Sequence, residues 1–105
     1  MANNISAPVI MCVIADSVQA TTGASSATVA IPNDASGTRA KFVRITSKGN
    51  AYIRPGASTA TAAAATAILA IAGESLYLNV SGMTHIAHIQ ETSASVINIS
   101  PLELA

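Results

Sequence analysis

The side chains in this sequence that could do chemistry are few and scattered. His85 and His88 are the only histidines. Their i, i+3 spacing would put both on one face of a helix, but on a strand it turns them to opposite faces. The run Thr84 to Gln90 reads as a strand, so one histidine is expected to pack or hydrogen-bond at an interface and the other to face water. No further His, Cys or carboxylate stands at metal-ligand spacing. A metal ion would have to be shared across a symmetry axis, with one His from each subunit. Cys12 is the sole cysteine and lies inside the apolar run Val9 to Ile14. With no partner for a disulfide and no neighbouring base, it behaves as a small hydrophobe.

The five carboxylates, Asp16, Asp34, Glu74, Glu91 and Glu103, are spread along the chain, mostly at turn signals. Glycoside hydrolysis needs two carboxyl groups within about 10 Å, one with a raised pKa. Nothing in their placement argues for that, and turn solvation accounts for them. There is no nucleophile elbow and no phosphate-cradling glycine loop. The expectation is a protein that is not an enzyme, with no catalytic, cofactor-binding or metal site and no cofactor.

The basic residues are not scattered. Arg39, Lys41, Arg44, Lys48 and Arg54 all lie between 39 and 54, with no acidic residue among them. Three readings compete. A nucleic-acid surface would add stacking aromatics and a basic overall balance, and only Phe42 and Tyr52 are near, so nucleic acid is disfavoured. Docking onto an acidic protein needs only the patch. Alternatively, the charges blunt an exposed edge strand against aggregation. These five residues are the candidate partner-binding set.

Periodicity sets the elements that must carry them. Ala7 to Ala15 reads as a strand buried on both faces, after an arm at 1–6 that is expected to be flexible. Ser17 to Ser26 reads as a loop, and Ala27 to Ile31 as a strand closed by Pro32-Asn33-Asp34. Thr38 to Ser47 alternates, Lys48-Gly49-Asn50 turns, and Ala51 to Arg54 continues, which predicts a β-hairpin. Ala57 to Ala67 is alanine-rich but carries three threonines and no charged pairs, so an extended or irregular connection is favoured over helical turns. Ile68 to Ile71 is a further strand. Glu74 to Leu104 reads as three strands of an antiparallel meander, the last ending before Pro101.

Together these predict an all-β, single-domain antiparallel β-sandwich or jelly roll of about eight short strands over 7–105. The totals point to a buried surface. Half of the 105 residues are hydrophobic, 10% are charged and the formal net charge is zero. Ordinary domains carry about 25% charged residues. Much of this surface is therefore expected to lie against other chains. Neither Ala7 to Ala15 nor the alanine-rich Ala60 to Ala72 reaches the roughly 20 residues of a membrane-spanning helix, and no basic flank before Ala7 marks a signal peptide. The expectation is a soluble protein made in the cytoplasm, with no membrane partner.

The half of the chain from 51 to 104 resembles small structural proteins of tailed bacteriophages. The resemblance rests on Ala51-Tyr52-Ile53-Arg54-Pro55-Gly56, Gly73-Glu74-Ser75-Leu76, Gly82-Met83-Thr84-His85-Ile86-Ala87 and the ending Ile97-Asn98-Ile99-Ser100-Pro101-Leu102-Glu103. It implies a virion protein of β-sandwich or jelly-roll type. The implied role is a capsid decoration (cement) protein on the outer face of the major capsid protein lattice, self-associated as a homodimer or homotrimer and located on the capsid surface after synthesis in the host cytoplasm. A head-completion, tail or fibre-associated component is the alternative within virions. A small carbohydrate-binding β-sandwich is the alternative outside them, poorly equipped with no Trp, two Tyr and one Phe.

Overall fold

Alternating apolar side chains become strands wherever the sequence supplies them. The computed structural model describes residues 10–12, 15–63 and 66–104. The expected arm at 1–6 lies outside the described residues, as does most of the expected Ala7 to Ala15 strand. The described residues form nine strands and no helix: β1 Ile10–Cys12, β2 Val18–Thr21, β3 Ala27–Ala30, β4 Phe42–Ser47, β5 Ala51–Gly56, β6 Ile68–Ala70, β7 Ser75–Asn79, β8 His85–Gln90 and β9 Val96–Leu104. β4 shows the cause most plainly. Val43 and Ile45 are fully buried, while Phe42, Arg44 and Thr46 alternate with them on the outward side.

β9 is the spine of the first sheet. β4 lies along one side of it and β7 beyond β4, while β1 and β2 share its other side. The second sheet runs β3-β8-β5-β6. Every pairing is antiparallel, and the pairs nest: β2 with β9, β3 with β8, β4 with β7, β5 with β6. The chain is thus one long ribbon bent at the β5–β6 connection. It is rolled so that β9 also meets β4 and β8 also meets β5. That is a jelly roll, as the strand pattern predicts.

The local partners differ from the expected ones. β4 and β5 do not pair; they lie in different sheets, and Lys48-Gly49-Asn50 is a corner between sheets, not a hairpin turn. β7, β8 and β9 likewise alternate between sheets and form no meander. β9 also runs through Pro101 to Leu104 instead of ending before it. The missing N–H of Pro101 faces the gap between β2, which pairs with 96–99, and β1, which pairs with 102–104, so no ladder bond is lost. The expected loop at 17–26 contains β2, whose small residues are held extended by pairing to Val96–Ile99. The described part of the 57–67 connection is irregular, as expected, with turn bonds such as Ala60 N–H to the Ala57 carbonyl at 3.0 Å.

Four sheet-switching corners interlock at one end of the sandwich. Thr22 N–H bonds the Ser95 carbonyl at 2.8 Å, Gly73 N–H the Ser47 carbonyl at 3.0 Å and Gln90 N–H the Gly23 carbonyl at 3.0 Å. Asn50 ties two more of these turns, accepting from Ala72 N–H at 2.8 Å and donating to Glu91 Oε1 at 3.0 Å. Gly49 is required there, because a Cβ would stand 2.9 Å from Ser95 Cβ. Between the sheets lies one core that includes Val43, Ile45, Ile53, Ile86, Ile97 and Ile99. Each such side chain contributes about 1.5–3 kcal/mol by leaving water.

Candidate functional site

Of the basic residues, Arg44 and Arg54 sit on central strands, not on an edge. β4 lies between β9 and β7, and β5 between β8 and β6, so their charges do not blunt an exposed strand. Nor do they form one surface. Val43 and Ile45 face the core, which turns Arg44 out of the first sheet; Ile53 faces the core, which turns Arg54 out of the second. Those outward faces are on opposite sides of the molecule. Arg39 and Lys41 lie at one end of β4 and share a depression with Val80 and Met83. Lys48 lies at the other end and shares a different one with Arg44.

The lateral flank made by β6 and β7 was not foreseen. Each is the edge strand of its sheet, and the two are consecutive in the chain. Ile68, Leu69, Ile71 and Tyr77 are all exposed here, Tyr77 by 59% and Ile71 by 44%. Neither strand carries a charged residue. The sequence signal was present as an apolar run at 68–71, but nothing in it tells a free strand from a covered one.

The outward face of the first sheet holds two neighbouring depressions. One, about 440 Å³, is lined by Gln19, Arg44, Thr46, Ser47, Lys48, Val96 and Asn98. The other, about 210 Å³, has Phe42, Tyr77 and Leu102 in its wall. Arg44 and Tyr77 are cross-strand partners and stand where the two meet. Arg44 Nε is buried and has no hydrogen-bond partner among the described residues. The second sheet is less open. Ala62 N–H bonds Ser26 Oγ at 2.9 Å, so the chain after β5 crosses the outward side of β8 toward β3, and Ala87 is fully buried.

The histidines divide between faces, as strand geometry requires. His88 points inward with Ile86, is 3% exposed, and its Nδ1 has no partner among the described residues. Burial lowers its pKa below the ordinary 6.5. It packs inside the chain's own sandwich and so offers nothing to an interface. His85 is half-buried on the other side and shares a 2.8 Å hydrogen bond between its Nδ1 and Thr84 Oγ1. Asp34 serves its own turn. It accepts from Ser36 Oγ at 2.7 Å, Ser36 N–H at 3.0 Å and Thr38 N–H at 3.1 Å, and its pKa is lowered chiefly by the Ser36 hydroxyl. Among the described residues no three His, Cys, Asp or Glu side chains gather to hold a metal ion. No helix there is long and apolar enough to cross a membrane.

No protein family, characterised protein or solved structure matches this chain.

Proposed function

We propose that this chain is a structural subunit of a virion, a capsid decoration protein that self-associates and binds the outer face of a tailed-phage major capsid lattice. The observation that carries this reading is the β6–β7 flank. Ile68 and Leu69 on β6, Ile71 just after it and Tyr77 on β7 are exposed on or beside two edge strands, in a chain with only 10% charged residues. Edge strands present unpaired N–H and C=O groups, and an apolar edge without lysine or proline is a template for another chain. A second copy of this protein is the occupant proposed, as a homodimer or homotrimer. The resemblance of residues 51–104 supplies the setting. A repeating shell suits such a subunit, because many copies make weak contacts add up.

The measurement is direct. Light scattering after gel filtration gives a multiple of 10.5 kDa if the flank self-associates. Pelleting with undecorated capsids, followed by gel densitometry, gives copies per particle. Hundreds of copies fit decoration; a dozen or fewer favours a head-completion, tail or fibre-associated part. A strictly monomeric protein that fails to pellet with capsids sinks the proposal.

A further inference from the structure

The outward face of the first sheet carries a second, independent feature. The depression lined by Gln19, Arg44, Thr46, Lys48 and Asn98 holds two cations and no carboxylate. At about 440 Å³ it falls within the usual range for small-ligand sites. The guanidinium of Arg44 has hydrogen-bonding capacity left over, since its Nε finds no acceptor among the described residues. A buried donor without a partner is uncommon, and it leaves the Arg44 guanidinium uncommitted at Nε.

The rest of the lining narrows the ligand. Carboxylates alone would call only for donors. Gln19 and Thr46 each offer both a donor and an acceptor, and Asn98 offers its amide N–H while its Oδ1 accepts from Ser100 Oγ at 3.0 Å, which matches hydroxyl groups. Next to them, Phe42 and Tyr77 wall the smaller apolar depression. These are the only phenylalanine and one of two tyrosines in the chain, so a sequence poor in aromatics has placed two of its three on one face. An apolar ring wall beside a cationic, amide-lined hollow fits a sugar ring whose neighbour bears a carboxylate.

We infer that this face is a binding site for acidic saccharides. The sugar carboxylate sits between Arg44 and Lys48, ring hydroxyls meet Gln19, Thr46 and Asn98, and an adjoining ring lies on Tyr77. Charge-assisted bonds from arginine to a carboxylate are the strong ones in such a site. Tyr77 is shared with the β6–β7 flank, but Gln19, Arg44, Thr46, Lys48 and Asn98 lie outside it, so the Arg44 and Lys48 variants test the site apart from self-association.

Titration calorimetry with a short oligogalacturonate tests it, with the methyl-esterified oligosaccharide and an oligoglutamate of matched charge as comparators. The acid is expected to bind, and the ester to bind about tenfold more weakly or worse. Arg44→Gln and Lys48→Gln are each expected to weaken the acid by about tenfold, and Tyr77→Ala to weaken it several-fold. Arg54→Gln, on the opposite side, should change nothing. Lys48 is exposed, so its variant remains informative if Arg44→Gln proves unstable by thermal melting. No binding of the acid by folded protein overturns the inference. So does equal binding of the ester. Equal binding of oligoglutamate with no effect of Tyr77→Ala also overturns it, and assigns the hollow to an acidic protein segment instead.

Discussion

Arg44 and Arg54 leave the molecule on opposite sides, one from each sheet, although the sequence places them in adjoining strands. A flat partner such as a capsid surface can touch one of them and not both. Arg44→Glu and Arg54→Glu are therefore expected to behave unequally toward undecorated capsids. One weakens binding several-fold, as an exposed charge contact does, and the double reversal is no worse than that one. Binding isotherms over a salt series read this out. Two equal and additive effects would exclude a single flat contact.

The flank predicts a change of mass without a change of fold. Ile71→Asp and Leu69→Lys put charge on exposed positions, so stability should move by no more than about 0.5 kcal/mol. The same charge opposite its own copy should disrupt pairing, leaving a species of 10.5 kDa by light scattering. An unchanged oligomer in both variants would remove the flank from the interface.

His88 predicts a pH dependence. Burial lowers its pKa below 6.5 in the folded chain. The unfolded chain therefore takes up a proton first as pH falls, and stability is full above pH 6.5 and declines below it until the folded histidine also protonates. Thermal melts should show a midpoint falling from pH 7 toward pH 5. His88→Leu should flatten that slope, and it removes a buried nitrogen with no partner among the described residues, which costs about 1–3 kcal/mol. Its advantage over the native protein should be greater at pH 5 than at pH 8.

Gly49 and Ser95 predict a coupled pair. Gly49→Ala drives a methyl group to 2.9 Å from Ser95 Cβ and should destabilise the corner by about 1–3 kcal/mol. Ser95→Gly relieves that clash, yet also loses the Ser95 Oγ bond to the Gly49 carbonyl at 3.3 Å. Denaturant unfolding of both singles and the double should show the double less damaged than the two losses added together.

Strand positions were legible in the sequence because alternation is a local signal. Phe42 to Ser47 and Ala51 to Arg54 show it without reference to the rest of the chain. Partners were not legible. A short corner such as Lys48-Gly49-Asn50 has the composition of a hairpin turn, and contacts from distant parts of the chain, among them Ala72, Glu91 and Ser95, hold it between sheets. β2 was hidden for the same reason, since Val-Gln-Ala-Thr has little strand signal until β9 lies beside it. The basic cluster was real in sequence and dispersed in space, because consecutive strands of a rolled ribbon point their outward residues in opposite directions. The polar hollow was invisible, as Gln19 and Asn98 meet only through the β2–β9 register.

The nested pairing also sets a timetable. β5 and β6 meet across a short span of chain, whereas β2 must wait for β9 at the far end. Closing long loops before their contacts form is slow, so folding is expected to zip outward from the bend, with the β2–β9 seam last. Pulsed hydrogen exchange should protect Ala51–Ile53 before Val18–Thr21. During synthesis the sandwich cannot close until Val96–Leu104 has emerged from the ribosome. Until then the inner faces and the β6–β7 flank are exposed together, which makes a stalled or truncated chain the aggregation hazard in this protein.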